Sequence, residues 1–580
     1  MTKATGRWRN DYVTLDKRLF ARVAPTPVRH PQITVFNIPL AETLGLQPPV
    51  DVGTAAGTTA DRAPSSDNRK SCAQPAENTD PSARARWDEI IAAWAPVLAG
   101  NTSISGLQPL SQAYAGHQYG NFTMLGDGRA HLIGEWQRSD GRIVDIQLKG
   151  SGPTPFSRRG DGRATLSAML REYVISESLA ALGLATTRAL AVTTTGETVW
   201  RERGQPGAIL TRIAASHLRV GTFEYAAAVD RQNATEPAAG QLPDTPLTRQ
   251  LADFAIQRHD PDLAALAPAL RYRALLDRVI ARQARLVADW MATGFVHGVM
   301  NTDNTTISGE TIDFGPCAFL DDYRPEQTFS SIDVNGRYAY ANQPFVLHWN
   351  LARFAETLLP LLDTDAEQAM ARAHEALERF PAQYAARLKH RLHAKLALDL
   401  VAQPQGSASL DRNITGLRDV TNPLSTLNST QADTSRPIDL SHDDDGLIAS
   451  FLDAMARDRA DFTLSFRQLS PEPANQASAT PANPFSADTH LAQWWPRWWS
   501  RVEKLDRAVL ASALNTRNPA RIARNHVVQH ALDAAEHNDL EPFFSLLDAI
   551  RQPFETRPQW HRFDARPKPD EYITQTFCGT

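Results

Sequence analysis

One polar run near the middle of the chain constrains the fold most. It reads His297-Gly298-Val299-Met300-Asn301-Thr302-Asp303-Asn304, then TTISGETI, then Asp313-Phe314-Gly315. A long amphipathic helical pattern, Arg271 to Thr293, precedes it and ends at Gly294. The run therefore predicts a polar loop after a long helix. It is expected to be followed by a hairpin in which TTIS and TIDF flank the turn Gly309-Glu310.

The spacing within this run is that of a kinase catalytic loop with one departure. Protein kinases have His-Arg-Asp, an Asn seven residues after the His, and a later Asp-Phe-Gly. His297 and Asn304 keep the spacing, but Val299 stands where the kinase base would be and cannot accept a proton. Asp303 is then the candidate general base, and Asn304 with Asp313 offers the oxygen ligands that Mg²⁺ prefers. The alternative is a polar turn with no chemistry.

The segment between residues 104 and 228 is strand-like with one clear helix. HLIGEWQ and RIVDIQLK are short β-type runs separated by the turn signal Ser139-Asp140-Gly141. Ala164 to Leu182 predicts a helix that stops at Gly183, and LAVTTTGETVW and GAILTRI return to the strand pattern.

A lysine and two glycine motifs in this segment predict a phosphate site. Lys149 ends a strand and Glu172 lies on the following helix, the pairing by which kinase-type lobes hold nucleotide phosphates. Gly126-Asp127-Gly128-Arg129 and Gly160-Asp161-Gly162-Arg163 bracket Lys149, and such loops let backbone N–H groups approach phosphate. The alternatives are an edge lysine, a local Glu172–Arg171 pair and simple tight turns.

Two arginines follow in TRIAASHLRVGTFEYAA. Arg212 and Arg219 could reach a triphosphate or merely pair with acids. His217 between them is interpreted as a hydrogen-bonded structural histidine. The tryptophans of QWWPRWW, residues 493–499, open a helical segment and are interpreted as core.

After about residue 250 the chain is largely helical, with patterns over 346–362, 364–400, 443–466, 487–513 and 520–550. The predicted class is α+β: a protein-kinase-like bilobal fold with a β-rich N-terminal lobe (1–228) and a larger helical C-terminal lobe (229–580). Segments 51–85, 229–248, 402–440 and 470–487 have the composition of flexible insertions.

Charge and cysteine usage narrow the function classes. The 580 residues carry a formal net charge of −5, without the basic excess that binding nucleic acid usually requires. Cys72, Cys317 and Cys578 are too few and too scattered for a disulfide framework or a four-ligand zinc site. With no apolar N-terminal region and no membrane-length apolar stretch, a cytoplasmic protein without a membrane partner is expected.

These motifs closely resemble the selenoprotein O (SelO/YdiU) family of protein adenylyltransferases, a kinase-like pseudokinase family. The resemblance is carried within about residues 104–362 by YAGHQYGNFTMLGDGRAHLIGE, DIQLKGSGPTPFSRRGDGRATL, REYVISESLAALGLATTRAL, TRIAASHLRVGTFEYAA, WMATGFVHGVMNTDNTTISGETIDFGPCAFLDDY and SSIDVNGRYAYANQPFVLHWNLARFAETLLPLL.

The resemblance implies an enzyme that binds ATP in the reverse of the kinase orientation. Such an enzyme transfers AMP to Ser, Thr or Tyr hydroxyls of proteins, redox proteins among the candidates, and releases pyrophosphate. It implies Mg²⁺, with Mn²⁺ as the alternative, held by Asn304 and Asp313, and Asp303 as the proton acceptor. It implies nucleotide binding by Gly126, Gly128, Arg129, Lys149, Asp161, Gly162, Arg212, Arg219 and Asp313, with Glu172 as the partner of Lys149.

Two questions stay open at this level, the function and the role of Cys578. A conventional kinase that transfers the γ-phosphate and a catalytically silent nucleotide-binding protein are the alternative functions. Some relatives in this family carry selenocysteine near the C-terminus, where this chain has Cys578. Redox gating through Cys578 and a free tail thiol are both open interpretations.

Overall fold

The computed structural model describes residues 6–49, 52–54, 81–235, 245–401, 442–471 and 481–576. Within these ranges the fold is mixed α+β, as predicted, with an antiparallel sheet in the N-terminal half and mostly helices after it. Cys72 and Cys578 lie outside the described residues, so the interpretations of Cys578 stay untested.

The strands are β1 (Arg7–Arg9), β2 (Phe20–Arg22), β3 (Gln32–Phe36), β4 (Val52–Thr54), β5 (Thr102–Ile104), β6 (Leu110–Gln118), β7 (Asn121–Gly126), β8 (Ala130–Gln137), β9 (Ile143–Lys149), β10 (Ala164–Thr165), β11 (Arg188–Trp200), β12 (Gly204–Ala214), β13 (Phe295–Val296) and β14 (Ala318–Phe319). Ten of them form one sheet, in which seven follow the order β2-β6-β8-β9-β12-β11-β3. The other three pair with members of this series: β1 with β8, β10 with β12, and β7 with β6.

The helices are α1 (Ile38–Leu44), α2 (Pro81–Leu98), α3 (Leu166–Ala181), α4 (Val220–Thr235), α5 (Leu247–His259), α6 (Pro268–Thr293), α7 (Gln343–Leu362), α8 (Ala366–Leu377), α9 (Arg379–Lys395), α10 (His442–Asp458), α11 (Phe462–Arg467), α12 (His490–Val502), α13 (Arg507–Arg517), α14 (Asn525–Glu536), α15 (Glu541–Ile550) and α16 (His561–Asp564). Among the described residues, no helix has both the length and the apolar character of a membrane span.

Strand β9 explains how the sheet presents polar groups to a cleft. Val144, Ile146 and Leu148 point to one face and join the core that α1 and α2 cover. Because side chains alternate along a strand, Asp145, Gln147 and Lys149 point to the opposite face. That face meets α3 and the helical half of the chain, so β9 places its polar residues between the two parts.

Local signals set the ends of the two helices that frame the cleft. The Thr165 hydroxyl caps α3 by accepting from the Ala168 amide, and Gly183 follows its C-terminus at φ +79°. Helix α6 begins at Pro268 and ends against Gly294, whose φ of +71° suits the left-handed cap. Both helices therefore start and stop within three residues of their predicted limits.

The long helical patterns are broken more often than periodicity predicts. Segment 364–400 contains α8 and α9, and segment 443–466 contains most of α10 and of α11. Segment 487–513 contains α12 and the first part of α13, and segment 520–550 contains α14 and α15. The tryptophans of α12 are buried, as predicted, and stack in pairs such as Trp495 on Trp499.

The predicted hairpin after Asn304 is wrong. The turn at Gly309-Glu310 exists, but its arms pair with other segments: Thr306 bridges Arg219 and Thr311 bridges Thr186. Burial between α3, α4 and α6 explains this, since those neighbours offer backbone partners that the sequence does not reveal.

The insertion boundaries also differ from the prediction where the structure describes them. Helix α2 begins at Pro81, inside segment 51–85, and α4 continues to Thr235, inside segment 229–248. Several ranges lie outside the described residues: all of segment 402–440, the central part of each of the other three segments, and residues 577–580. The division into two lobes at residue 228 remains a prediction, and that position falls within α4.

Candidate active site

A cavity of about 300 Å³ lies where β6, β9 and β12 meet the loop that follows α6. Its lining residues are Tyr114, Asp127, Gly128, Arg129, Ala130, Lys149, Phe156, Ser157, Gly160, Asp161, Gly162, Arg163, Arg201, Arg212, Arg219, Asp303, Asn304 and Asp313. All predicted site residues except Gly126 and Glu172 are on this list. The structure thus brings together residues that are spread over the sequence from Tyr114 to Asp313.

Lys149 joins the two sides of the cavity. Its ammonium group donates to Glu172 on α3 and, over 2.6 Å, to Asp313 Oδ1. The side chains of Lys149 and Glu172 are only 7% and 6% exposed, so this is a buried ion pair and not an edge lysine. Glu172 therefore has the predicted partner.

The neighbouring Arg171, which the alternative interpretation of the sequence paired locally with Glu172, reaches the segment after Asp313. It donates to the carbonyl groups of Gly315 and Cys317 over 3.0 and 2.7 Å. Helix α3 thereby holds the Asp-Phe-Gly segment by its backbone while Glu172 holds Lys149. The two interactions fix Asp313 relative to β9.

Asp313 is held as a carboxylate in an unusual backbone conformation. Burial pushes its pKa upward, but the charge and hydrogen bond of Lys149 and the nearby Arg212 outweigh burial and leave the pKa well below its usual value. Its φ of +69° is rare for a residue other than glycine. Such strain at a charged residue in a cleft is typical of a functional position.

A hydrogen-bonded relay orients the two buried arginines. Asp127 Oδ2 accepts from Gln147 Nε2 over 3.0 Å, and Gln147 Oε1 accepts from Arg212 Nη2 over 2.5 Å. The other oxygen of Asp127 lies 3.5 Å from Arg219 Nη1. The Arg219 guanidinium also lies over the Tyr114 ring, 4.4 Å from its centre. One carboxylate thus positions two cations.

These arginines retain capacity to bind an anion. Arg212 and Arg219 are 3% and 4% exposed, and the Nε of each has no hydrogen-bond partner among the described residues. Burial lowers the pKa of Arg212. Buried cations with unused donors are stabilised by a polyanion such as phosphate.

The two Gly-Asp-Gly-Arg loops form one wall of the cavity. A Cβ on Gly126 would lie 2.3 Å from the Phe156 ring, and one on Gly162, at φ +68°, 2.1 Å from the Gly152 carbonyl carbon. Both glycines are therefore required by close packing. Gly128 and Arg129 line the cavity directly beside Lys149.

Asp161 lies at the mouth of the cavity and not in its interior. Its side chain is 46% exposed and pairs with Arg201 Nη1 over 2.8 Å. Its Oδ1 also accepts the Arg163 amide over 2.9 Å, which shapes the glycine loop. A role at the cavity rim is what this position favours.

Asp303 faces the cavity from the loop after α6. It packs so tightly on β6 that a Cβ on Gly116 would lie 2.2 Å from its Oδ1. That oxygen has no hydrogen-bond partner among the described residues. Burial, against the opposing charge of Arg219, raises the pKa of Asp303 from 3.8 to about 6. A carboxylate with this pKa is suited to accept a proton near neutral pH.

A second carboxylate positions the Asp303 loop from behind. Glu224 on α4 accepts from the Thr302 hydroxyl over 2.6 Å and lies 2.5 Å from His117 Nδ1. The same Thr302 oxygen accepts the His117 amide over 2.7 Å. Residues of α4 and β6 thus clamp the residue next to Asp303.

The two histidines of the motifs are structural. His297 is fully buried, with Nε2 at 2.9 Å from the Ile312 carbonyl, and so supports the strand-like segment before Asp313. His217 is fully buried and contacts Asp145 through its backbone amide and its ring. Neither lines the cavity.

The oxygen donors fit a divalent cation shared with a ligand. Asn304 Nδ2 donates to the Val299 carbonyl over 3.1 Å, which leaves its Oδ1 for a cation, and Asp313 Oδ2 is not used by Lys149. Among the described residues, no three His, Cys, Asp or Glu side chains converge as a metal site. Two protein oxygens are what Mg²⁺ commonly takes when phosphates supply the rest.

Some site residues were missed by the sequence reasoning. Asp127 stands inside the first Gly-Asp-Gly-Arg motif, and Gln147 is two residues before Lys149, on the same face of β9, so both had a readable signal. Tyr114, Arg201 and Glu224 had none, because only the tertiary fold brings them to the cavity or its loop.

Comparison with known proteins decides the family. A family model described as "Protein adenylyltransferase SelO" matches residues 87–551. The chain belongs to the SelO family. It is 44% identical over 577 residues to "Protein nucleotidyltransferase YdiU" of a Bradyrhizobium strain, covering 99% of both chains.

Other relatives have a similar sequence identity to this chain, and their matches also cover nearly the whole of both chains. Proteins of the same name from Nitrosococcus oceani and Geobacillus kaustophilus are 41% and 42% identical, and each match covers at least 97% of both chains. The likeness therefore extends beyond the motif-rich part to the helical C-terminal half. Membership in SelO makes the chain a nucleotidyltransferase and its cavity the candidate ATP site.

Proposed function

We propose that this protein transfers AMP from ATP to a Ser, Thr or Tyr hydroxyl of a protein substrate, with Mg²⁺ and with release of pyrophosphate. The observation that carries the proposal is the arrangement of charges in one cavity. Buried Lys149, Arg212 and Arg219 lie together with the carboxylate of Asp303, whose Oδ1 has no hydrogen-bond partner among the described residues.

The cations are suited to hold the phosphates. Lys149, Arg212 and Arg219 are all less than 10% exposed, whereas Asp161 and Arg201 lie at the rim. A triphosphate is therefore best stabilised at the inner end of the cavity. If the β- and γ-phosphates occupy that end, the α-phosphorus faces the acceptor, which is the orientation that AMP transfer requires.

The reaction needs one proton acceptor and one leaving group. The acceptor oxygen attacks the α-phosphorus, the bond to the oxygen that bridges to the β-phosphorus breaks, and Asp303 takes the hydroxyl proton. The electron pair of the broken bond leaves on pyrophosphate. Arg212 and Arg219 stabilise the negative charge that this group gains.

Asn304 and Asp313 are the residues that would hold the magnesium ion. When bound, the ion neutralises charge on phosphate oxygens. Lys149 holds Asp313 in its ionised form, and Val299 fixes the Asn304 amide through its carbonyl. Both ligands are therefore oriented before nucleotide binds.

The decisive experiment uses ATP labelled separately at the α- and γ-positions with a protein acceptor. AMP transfer incorporates the α label only, and loss of that incorporation in Asp313→Ala is expected. Asp140→Ala is the matched control, since Asp140 is a loop aspartate in the turn between β8 and β9. Incorporation of γ label would instead indicate a kinase, and nucleotide binding without either label a silent nucleotide-binding protein.

A further inference from the structure

An apolar surface lies beside the cavity. Five large hydrophobic side chains are 45–86% exposed on three neighbouring segments. They are Phe122 and Met124 on β7, Ile332 and Val334 on the loop 330–336, and Phe345 at the start of α7. Concentrated exposure of this kind marks a site of interaction with another molecule.

Contacts join these segments into one surface. The His117 ring meets Phe122 and Trp349 edge-on, with ring centres 5.3 and 5.2 Å apart. Phe345 precedes Trp349 by one turn of α7, so both lie on the same helix face. The surface therefore runs from the β6–β7 turn to α7.

The loop that carries Ile332 and Val334 is tied to the same turn. The ring of Tyr119, in the β6–β7 turn, packs at a tilt against the ring of Tyr338 with the ring centres 5.1 Å apart, and the Tyr119 hydroxyl lies 3.1 Å from Ser330 Oγ. We call the surface formed by Phe122, Met124, Ile332, Val334, Phe345 and Trp349 the docking surface.

The docking surface adjoins the candidate base. The His117 amide donates to Thr302 and the Tyr119 amide donates to Asn301 Oδ1 over 3.1 Å. Asn301 and Thr302 immediately precede Asp303. A polypeptide on the docking surface would thus present its side chains to Asp303 at the cavity.

Two arginines lie at the docking surface. The guanidinium groups of Arg337 and Arg353 each lie 5.0 Å from the centre of the Trp349 ring. Arg353 pairs with Glu356 over 2.6 Å. Arg337 Nε has no hydrogen-bond partner among the described residues, and the nearby Asp333 uses both oxygens to accept the amides of Arg337 and Tyr338.

We propose that the docking surface binds the segment of the protein substrate that flanks the acceptor hydroxyl, and that it selects an apolar side chain together with an acidic one. The apolar side chain packs among Phe122, Trp349 and Phe345, and the acidic one pairs with Arg337. Complementary charge gives an interface specificity, and aromatic residues give it contact area. This inference rests on the proposed function.

The test uses synthetic peptides with one acceptor serine and a neighbouring phenylalanine. Each peptide of the first series carries one aspartate at a different position within five residues of the serine. Each peptide of the second series has lysine in place of that aspartate. Binding is measured by fluorescence polarisation with a non-hydrolysable ATP analogue, and AMP transfer by mass spectrometry with ATP. We expect the best aspartate peptide to have a KM about fivefold below its lysine counterpart.

Charge reversal on the protein sharpens the test. Arg337→Glu is expected to reverse the preference toward the lysine series without changing the affinity for the non-hydrolysable ATP analogue. Phe345→Ala is expected to raise KM for peptides that carry the phenylalanine, but not for peptides in which alanine replaces that phenylalanine. Met370→Ala, an exposed hydrophobic on α8, is the matched control and should change neither.

The outcomes separate the two proposals. AMP transfer that is equal on both peptide series and insensitive to Arg337→Glu overturns the docking proposal and leaves the proposed function standing. Selective binding of the aspartate peptides without AMP transfer overturns the proposed function. Conversion of a dimer to a monomer by Phe345→Ala, with peptide selection unchanged, would assign the surface to a second copy of this chain and overturn the docking proposal.

Discussion

Lys149 Nζ lies 2.6 Å from Asp313 Oδ1, so one cation connects the end of β9 to the start of the Asp-Phe-Gly segment. The same ammonium group donates to Glu172 on α3. Three elements far apart in sequence therefore meet at a single charge. Nucleotide binding should depend on each of them, including Glu172, which does not line the cavity.

The first prediction concerns Glu172. Glu172→Gln leaves Lys149 in an ion pair with Asp313 alone, so the ammonium group is drawn from the position in which the proposed function has it meet phosphate. We expect ATP affinity to fall about tenfold, since a hydrogen bond to a charged group contributes roughly 1.5–3 kcal/mol. Isothermal titration calorimetry measures this. Glu367→Gln, an exposed helix glutamate, is the control, and equal affinities would contradict the prediction.

The second prediction concerns the relay that orients Arg212. Gln147→Leu keeps the volume of the side chain but removes both hydrogen bonds, to Asp127 and to Arg212. Because the proposed function has Arg212 both bind phosphate and stabilise the charge that pyrophosphate gains, KM for ATP should rise about tenfold and kcat should fall as well. Steady-state kinetics separate the two. Gln205→Leu, at the far end of β12, is the control.

The third prediction separates catalysis from stability at Asp303. Asp303→Asn keeps the shape but cannot accept the proton, so AMP transfer should fall by about 10²–10⁴-fold. The melting temperature should not fall, because the change removes a buried carboxylate whose Oδ1 has no hydrogen-bond partner among the described residues. Transfer assays and thermal unfolding test the two parts. An unchanged transfer rate would exclude Asp303 as the base.

The fourth prediction concerns pH. Burial raises the pKa of Glu310 from 4.5 to about 7, although Ser308 and the Ala215 amide donate to it. The folded protein therefore binds this proton more tightly than the unfolded chain does. Glu310 contributes its full stability below pH 4.5 and loses it as pH rises to about 7, by an amount on the order of 3 kcal/mol.

Glu310→Gln should remove that dependence. The variant is expected to gain stability relative to the wild type as pH rises from 5 to 8, measured by urea unfolding at each pH. The exposed Glu541→Gln is the control and should follow the wild type. A constant difference between Glu310→Gln and the wild type across this range would contradict the assigned pKa.

The sequence predicted the parts of the site that local signals encode. Gly183 and Gly294 mark helix ends, and the strand-to-helix distance from Lys149 to Glu172 predicts their ion pair. It could not predict that Thr306 and Thr311 pair with separate segments. Packing between helices determines those backbone partners, and a turn signal in the sequence carries no information about that packing.

The polar face of the sheet was equally hard to predict in full. The alternation in β9 places Gln147 beside Lys149, but its hydrogen bonds depend on Asp127 and Arg212, which come from other strands and loops. Only the antiparallel register, with Arg212 opposite Gln147, brings them together. Pairing between strands is therefore the information that the single sequence lacked.

The last prediction compares two glycines that share a backbone conformation but not their surroundings. Gly162, in the second glycine loop, has φ +68°, and a Cβ there would lie 2.1 Å from the Gly152 carbonyl carbon. Gly141, in the β8–β9 turn, has φ +85° with nothing within 4 Å of its Cβ position. Alanine at Gly141 should cost about 1–2 kcal/mol of stability from left-handed strain alone.

Gly162→Ala adds a backbone collision to that strain. Since the partner atom is backbone and cannot rotate away, the loop that carries Asp161 and Arg163 must move from the segment after Lys149. We expect ATP affinity to fall more than tenfold in Gly162→Ala and to stay unchanged in Gly141→Ala, as measured by calorimetry. If both variants bind ATP equally well, close packing of this loop is not what shapes the nucleotide site.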